Sequence, residues 1–187
     1  NEKDNWSNAD WLKRNINFTG ELWLGHLRYG TFGKNSIENC APTLRQNNWK
    51  SRNLILAGNF NMTNLDYLFD ELVEIGQSPK EKSDTVTILE KIGHFLDEEN
   101  LKIFNKYDKK ISRKEISKRI EKEIDISSVL KKSFKDFDGG YAMSGLIGHG
   151  SSFIIRDPNG IRPVYYYTNN EIVVATSERP PIKTAFD

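Results

Sequence analysis

Residues 25–31 of the chain read Gly-His-Leu-Arg-Tyr-Gly-Thr, with Arg28 at the end of a predicted strand. Residues 56–64 read Leu-Ala-Gly-Asn-Phe-Asn-Met-Thr-Asn, and residues 83–85 read Ser-Asp-Thr. Further along, residues 156–163 read Arg-Asp-Pro-Asn-Gly-Ile-Arg-Pro. Each block alone would be a turn, a strand end or a helix start. Together and in this order, they place basic, amide and acidic side chains where predicted elements begin or end.

The composition is that of an ordinary globular protein. The 187 residues carry 27 basic and 26 acidic side chains, and a net charge of +1 gives no argument for binding nucleic acid or an anionic membrane. No apolar run reaches the roughly 18 residues of a membrane helix. The single cysteine, Cys40, excludes an internal disulfide, which fits a reducing compartment such as the cytoplasm. The first residue is Asn1, and this abrupt polar start predicts a piece excised from a longer protein.

The first half of the chain is predicted to alternate between strands and helices. A polar lead-in, residues 1–20, contains a short predicted helix over 9–14, capped by Ser7 or Asn8. Strands are predicted over 21–28 and 53–59, the second of them buried on both faces. Two amphipathic helices follow. They begin near residues 63–64 and 83–84, and their apolar residues recur at helical spacing: Leu65, Leu68, Phe69, Leu72 and Ile75, then Val86, Leu89, Ile92, Phe95 and Leu96.

The second half begins with a segment of different composition, residues 101–135, with twelve basic and five acidic side chains. Ser112 and Glu115 form a capping-box pair at the start of a charged helix, and another helix is predicted over 127–137. Short strands separated by turn sequences then predict an antiparallel meander over 141–147, 152–156, 164–167 and 172–176. This order of elements predicts an α+β fold, in which helices pack on antiparallel sheets.

The four quoted blocks resemble the signatures of class II glutamine amidotransferases. Residues 25–31 match the family pattern Gly-His-x-Arg-Tyr-x-Thr, residues 56–64 align with Leu-Ala-His-Asn-Gly-Asn-Leu-Thr-Asn, and residues 83–85 occupy the Ser-Asp-Thr position. Residues 156–163 are typical of the amidophosphoribosyltransferase type rather than of the glucosamine-forming and asparagine-forming relatives. The resemblance runs from about residue 21 to the end of the chain and is weakest over 101–135.

The resemblance implies an αββα sandwich of antiparallel sheets flanked by helices, of the N-terminal-nucleophile hydrolase type and lacking its first strand or strands. Residues 1–187 are then expected to be a partial glutaminase domain with a charged helical insert at 101–135. The family's phosphoribosyltransferase domain, where Mg would bind, has no expected counterpart in the chain. No metal or cofactor site is predicted in the chain itself, and a homo-oligomer is expected.

A pocket that selects glutamine needs a cation, an anion and donors aimed at the amide oxygen. The resemblance assigns substrate binding to Arg28, Thr31 and Asp84. Arg28 would pair with the α-carboxylate, and Asp84, at a helix start where it should ionise easily, would accept the α-ammonium group. Asn59 and the backbone N–H of Phe60 would form the oxyanion hole. Glutamine is therefore the expected ligand.

The family's nucleophile is an N-terminal cysteine whose own α-amine acts as the base. Cys40 cannot take this role, because its nitrogen lies in a peptide bond. The chain is therefore predicted to bind glutamine without hydrolysing it. The parent protein would be a transferase that releases ammonia from glutamine for transfer to phosphoribosyl diphosphate in purine biosynthesis. The alternative is a degenerate, non-catalytic domain that binds glutamine or serves as a scaffold.

Two positions depart from the family pattern, and they bear on this alternative. Gly58 stands in place of a histidine, and Phe60 in place of the glycine whose N–H completes the oxyanion hole. If that site requires a positive φ, phenylalanine costs about 1–2 kcal/mol of strain. If φ is ordinary, Phe60 can still offer its N–H. The change at Phe60 favours the non-catalytic alternative, whereas the intact set of Arg28, Asn59 and Asp84 favours the enzyme.

Several of these signals also have purely structural interpretations. Asp84 ahead of a helical pattern would by itself be an N-cap, Asn59 a turn former and residues 156–163 a hairpin turn. The basic side chains of residues 101–135 could face nucleic acid, but exposed aromatic residues are few and acidic residues are interspersed. A solvated helical face or a subunit contact is favoured. Neither nucleic acid nor a membrane is expected as a partner.

Overall fold

The computed structural model describes residues 8–27 and 40–186, and its helices and strands follow the order expected of an α+β fold. They are α1 (Ala9–Asn15), β1 (Thr43–Arg45), β2 (Leu54–Met62), α2 (Leu65–Glu74), α3 (Asp84–Tyr107), α4 (Arg113–Glu123), α5 (Ile126–Ser133), β3 (Gly139–Ile147), β4 (Ser152–Arg156), β5 (Tyr165–Thr168), β6 (Val173–Thr176) and α6 (Arg179–Phe186). A 3-10 helix at Lys50–Arg52 precedes β2. Within the described ranges, no helix is long and apolar enough to cross a membrane.

The main sheet is antiparallel, with the strand order β1-β2-β3-β4. Its longest pairing joins β2 to β3, from Leu54 opposite Ile147 to Met62 opposite Gly139. The apolar start of β2 is buried or partly buried as predicted. The strand does not end at Asn59, however, so the interpretation of this residue as a turn former is wrong. Asn59 is an exposed member of the strand, and because side chains alternate, it lies on the face opposite to Phe60.

Helices α2, α3 and α5 contribute to one hydrophobic core with the main sheet. The central helix, α3, begins after Ser83, whose Oγ accepts a hydrogen bond from the N–H of Val86 at 3.4 Å. Burying a large apolar side chain contributes about 1.5–3 kcal/mol. Those that are fully buried in this core include Leu54, Leu56, Leu68, Ile88 and Leu96. The two predicted amphipathic helices are thus confirmed, but α3 continues to Tyr107, into the segment expected to be a separate insert.

The remainder of the charged segment packs through a small second core. Ile103 of α3 meets Ile116 and Ile120 of α4, all three of them buried. The predicted cap of α4 is confirmed, since the N–H of Glu115 donates to Ser112 Oγ at 3.2 Å. Helix α5 ends at Ser133, four residues before the predicted end, which is a correction. Narrow apolar stripes therefore hold this charged segment to the rest of the fold.

The predicted meander is wrong at one point, because β4 and β5 do not pair. Strands β5 and β6 form a separate two-stranded sheet, against which α6 packs. Tyr167 of β5 stacks on Phe186 of α6, with ring centroids 4.9 Å apart. The chain between β4 and β5 is a closed turn that ends at Pro163, a residue without an N–H to donate to a strand ladder. This turn separates the two sheets.

The predicted strand over residues 21–28 is also wrong in its described part, since residues 21–27 form no helix or strand. Trp23 and Leu27 are 73% and 97% exposed. A strand needs a neighbouring strand to pair its backbone N–H and C=O groups, and an alternating sequence alone does not provide one. The short predicted helix, in contrast, is confirmed as α1, where the N–H of Trp11 donates to Asn8 Oδ1 at 3.1 Å.

Candidate functional site

One side of β2 faces away from its long partner β3 and is only partly covered by β1. The N–H of Gly148 donates to the carbonyl of Asn53 at 2.9 Å, and the N–H of Thr63 donates to the carbonyl of Asp138 at 3.0 Å. In an antiparallel pair, hydrogen-bonded positions alternate with positions whose N–H points the other way. The odd-numbered residues of β2 therefore bond to β3, and the even-numbered ones point their N–H groups to the opposite side.

Strand β1 covers that opposite side only from Leu54 to Leu56. The N–H groups of Gly58, Phe60 and Met62 therefore point beyond the end of β1. We call this stretch, residues 58–62 on the side away from β3, the open side of β2, because no strand among the described residues pairs with it there. It offers backbone donors in a row, and the spacing between alternate residues is about 6.6 Å.

Asp84, the first residue of α3, closes one end of the open side. Its Oδ2 accepts a hydrogen bond from the N–H of Met62 at 3.4 Å. Burial raises the pKa of Asp84 above its ordinary value, and the Met62 N–H offsets only part of this effect. The sequence had suggested that a helix start would keep this carboxyl easily ionised, and that expectation is wrong. The N-cap is Ser83 rather than Asp84, so the carboxyl of Asp84 is not used as a cap.

No lysine, arginine or histidine in the described ranges forms an ion pair with Asp84. A half-buried carboxylate without a cation is costly, and an incoming ammonium group would stabilise it. Asp84 and the N–H of Phe60 lie on the same side of one strand, where β2, at Met62, meets the start of α3. The structure thus brings together the carboxylate of Asp84 and the N–H of Phe60, about two residues apart along β2.

The backbone of Phe60 has no unusual conformation. Phe18 and Lys109 are the only residues other than glycine with positive φ in residues 8–27 and 40–186. The strain considered for phenylalanine at this position is therefore not present. Its side chain lies on the helical face of the sheet and packs against the main core. Phe60 can offer its N–H to the open side while its ring is held elsewhere.

Two of the substrate-binding residues predicted from the sequence cannot be compared with this site. Arg28 and Thr31 lie outside the described residues. Cys40 is exposed and precedes β1. Across the described ranges, no three His, Cys, Asp or Glu side chains are grouped in a way that could hold a metal ion.

Residues 156–163 form a turn that is held by several hydrogen bonds between its own residues. The Asp157 carboxylate accepts hydrogen bonds from the N–H groups of Ile161 and Arg162 at 2.8 and 3.0 Å. Arg156 donates from Nε to the carbonyl of Arg162 and from Nη2 to that of Gly160, both at 2.7 Å. Burial by itself would raise the pKa of Asp157, but these backbone donors hold it below its usual value. The block is a turn, as the structural interpretation expected, but it is not a hairpin turn, because β4 and β5 do not pair with each other.

Met62, whose N–H donates to Asp84, was not among the residues predicted from the sequence. The spacing of residues along β2 could have predicted this contact. Asn59 follows a buried run, and a strand continued by three residues carries Met62 to the same side as Phe60. The register with β3 was needed to decide which N–H groups point to the open side.

The chain was then compared with known proteins. No protein-family model matches it. It is 29% identical over 151 residues to an amidophosphoribosyltransferase of Pasteurella multocida, which corresponds to 80% of this chain and 26% of that protein. The chain resembles amidophosphoribosyltransferases. A second one, from Methanocaldococcus jannaschii, is 27% identical over 163 residues, and the match covers 87% of this chain and 29% of that enzyme. The chain thus spans little more than a quarter of the length of these relatives.

Two solved structures have a similar fold. One is the glutamine phosphoribosylpyrophosphate amidotransferase of B. subtilis in complex with ADP and GMP, with a TM-score of 0.57, 24% identity, and coverage of 84% of this chain and 28% of that one. The other is described as the allosteric regulatory enzyme of purine biosynthesis, with a TM-score of 0.53, 26% identity, and coverage of 80% and 26%. The predicted resemblance and the predicted α+β fold of the N-terminal-nucleophile hydrolase type are confirmed.

Proposed function

We propose that the chain is the glutamine-binding part of a glutaminase domain, which hydrolyses glutamine to glutamate and ammonia for transfer to phosphoribosyl diphosphate in purine biosynthesis. The observation that carries the proposal is the half-buried carboxylate of Asp84, which shares the open side of β2 with the N–H of Phe60. The similarity to amidophosphoribosyltransferases supports the reaction class. Residues 1–187 are proposed to be part of one class II glutamine amidotransferase domain, with the charged segment 101–135 as its helical insert, the first residues of which continue α3.

In this proposal glutamine lies along the open side of β2. Its α-ammonium group binds the carboxylate of Asp84, and its amide oxygen accepts a hydrogen bond from the N–H of Phe60. The N–H groups of Phe60 and Met62 are about 6.6 Å apart along the strand, and the carboxylate of Asp84 lies 3.4 Å from the second of them. An extended glutamine spans roughly 6 Å from its α-nitrogen to its amide oxygen, as ordinary bond lengths require. A ligand of this length can extend from the Phe60 N–H towards Asp84, which supports the assignment of Asp84 to substrate binding.

Asn59 and Phe60 are proposed to form the oxyanion hole. The amide oxygen becomes negative when a thiolate attacks the neighbouring carbon, and donors already in place stabilise that charge without reorganisation. The exposed side chain of Asn59 and the backbone N–H of Phe60 come from consecutive residues, and the ordinary φ of Phe60 supports its use as a donor. Removing one such donor typically raises the barrier by about 2.7–4 kcal/mol.

Arg28 and Thr31 are proposed to bind the α-carboxylate. This assignment rests on the sequence pattern of residues 25–31. The planar guanidinium group of an arginine can donate two parallel hydrogen bonds to a carboxylate, each worth about 1.5–3 kcal/mol. A cation for the carboxylate and an anion for the ammonium group together select a free amino acid over a peptide.

A polypeptide of these 187 residues is expected to bind glutamine and to release no ammonia. Hydrolysis in this mechanism needs a cysteine with a free α-amine, and the chain's only cysteine, Cys40, has its nitrogen in a peptide bond. Calorimetric titration measures binding of glutamine, with glutamate and asparagine as controls, and an enzymatic assay for ammonia measures hydrolysis. Ammonia release that disappears in Cys40→Ser would contradict the expectation. Failure of the folded chain to bind glutamine would contradict the proposed function.

The proposal extends to partners and location by analogy with the relatives. A phosphoribosyltransferase domain would receive the ammonia, and Mg would bind there rather than in the chain described above. The protein is proposed to be a cytoplasmic homo-oligomer. Light scattering after size-exclusion chromatography would test the oligomeric state.

One observation favours a second candidate, a non-catalytic domain that binds glutamine or acts as a scaffold. Phe60 stands where the family pattern has glycine, and a large side chain beside an oxyanion hole can restrict the reacting geometry. The two candidates differ in one measurement. Providing the chain with the N-terminal cysteine of a relative restores ammonia release under the first candidate and leaves the chain inactive under the second.

A further inference from the structure

We infer that Gly58 is a positioning residue of the proposed glutamine site, because it leaves the space that the ring of Phe60 occupies. The inference rests on the proposed function and concerns how the Phe60 N–H is fixed in that site. Gly58 is not among the described glycines with positive φ, so backbone conformation does not explain why glycine is present. The requirement at this position is space.

The space around Gly58 is bounded by two strands and one aromatic ring. A Cβ atom at Gly58 would lie 2.5 Å from the carbonyl oxygen of Ala142, 2.7 Å from Met143 Cβ and 2.7 Å from Phe60 Cε1. All three distances are shorter than real Cβ contacts, so something would have to shift. Ala142 and Met143 belong to β3, which pairs with β2 along the whole length of both strands. Rotation of the Phe60 ring cannot relieve the contacts with Ala142 and Met143, so β2 itself has to shift at this point.

Displacing the ring would change the direction of the Phe60 N–H. The ring packs against the main core on the helical face, and the N–H of the same residue points to the open side of β2. The ring is held between the core and Gly58. It therefore fixes the orientation of the β2 backbone at Phe60 about the strand axis. Because the core holds the ring on its other side, a methyl group at Gly58 displaces the backbone of β2 at Phe60. Gly58 therefore acts on the substrate through Phe60, without touching the substrate.

The sheet provides a matched control at Gly145. A Cβ atom there would lie 2.3 and 2.5 Å from the Cζ and Cε1 atoms of Phe153. Gly145 also lies beneath a phenylalanine ring on the helical face, but it pairs with Leu56, in the half of β2 that β1 covers. Substituting alanine at Gly145 creates a clash with the Phe153 ring in the core, away from the open side.

The test compares Gly58→Ala with Gly145→Ala in the 187-residue chain, at a temperature where circular dichroism shows both to be folded. Both variants are expected to melt at a lower temperature than the original chain. Gly58→Ala is expected to raise the Kd for glutamine about tenfold or more, because a misplacement of about 1 Å can cost a hundredfold. Gly145→Ala should leave that Kd unchanged within about twofold. Equal effects of the two variants on Kd, or none from Gly58→Ala, would overturn the inference.

A measurement without ligand separates this inference from the proposed function. The ring current of Phe60, so close to Gly58, shifts the resonances of the Gly58 α-protons from their ordinary positions, and Phe60→Leu should abolish that shift. If the shift is present but the chain does not bind glutamine, the proposed function fails while the contact between Phe60 and Gly58 stands. If the α-protons resonate at ordinary positions in the original chain, the inference itself is overturned.

Discussion

Replacing Asp84 with asparagine is expected to raise the Kd for glutamine about ten- to a hundredfold. The variant keeps the size of the side chain and removes the charge that would bind the α-ammonium group. A hydrogen bond between charged partners contributes about 1.5–3 kcal/mol, and about 1.4 kcal/mol corresponds to a factor of ten. Calorimetric titration of both proteins at neutral pH measures this difference.

Asp66→Asn is a suitable control for this substitution. Asp66 lies in the first turn of α2, as Asp84 does in α3, so both changes remove one charge from a helix start. Asp66 is exposed and pairs with Lys82 at 2.7 Å, and it accepts no hydrogen bond from β2. Its replacement should leave the glutamine Kd unchanged. A similar loss of affinity in both variants would show that net charge, and not the position of Asp84, determines binding.

The same carboxyl predicts how glutamine binding depends on pH. Burial raises the pKa of Asp84 from its ordinary value of 3.8, so the neutral form persists to higher pH in the unliganded protein. Only the carboxylate binds an ammonium group strongly, so affinity should be full above the raised pKa and fall as the pH drops through it. Asp84→Asn should abolish this dependence. For the unliganded fold the sign is opposite: the folded state binds this proton more tightly, so stability decreases as the pH rises from 3.8 through the raised pKa.

Gly139→Ala is expected to lower the free energy of unfolding by about 2–6 kcal/mol, the largest stability effect predicted for a single added methyl group. Gly139 has a φ of +126°, and a Cβ there would lie 2.3 Å from the carbonyl oxygen of Asn61. Backbone strain costs about 1–3 kcal/mol, and overpacking costs about the same again. Gly139 also pairs with Met62, so the end of the open side should be displaced. Urea unfolding measures the change.

Gly150→Ala separates the two contributions. Gly150 has a similar φ of +111°, but a Cβ there would meet no atom within 4 Å. Gly150→Ala should lower the free energy of unfolding by the backbone strain alone, about 1–3 kcal/mol. If the two alanine variants were equally destabilised, the close approach of β2 to Gly139 would contribute nothing.

The sequence was sufficient to locate the elements that carry the site. The buried run ending at Ala57 and the helical pattern after Ser83 are local signals, and both predicted the correct kind of element. The sequence also predicted Asn59, Phe60 and Asp84 as candidate site residues. It did not reveal that Asn59 continues a strand or that the N–H of Met62 contacts Asp84. Those facts depend on the pairing of β2 with β3, and that pairing joins residues about 80 positions apart, too far for local patterns to encode.

The errors in the predicted fold have the same origin. Residues 21–27 alternate as a strand does, but no neighbouring strand pairs with them in the described structure. β4 and β5 have strand-like sequences on both sides of a turn, yet the hydrogen bonds within the turn around Asp157 lead the chain into a second sheet. The raised pKa of Asp84 was missed for a related reason, because burial depends on packing between elements. Local patterns predict the elements, and tertiary contacts decide their partners.

The most direct test of the proposed site is a nuclear magnetic resonance titration of the isotopically labelled chain with glutamine. Saturable shifts are expected for the amides of Phe60 and Met62, which face the open side. Leu54 and Leu56 have the same orientation in β2 but are covered by β1, so their amides should respond little. Alanine, which has no side-chain amide, should leave Phe60 unaffected. A Phe60 amide that does not respond to glutamine, or that responds equally to alanine, would contradict the proposed site.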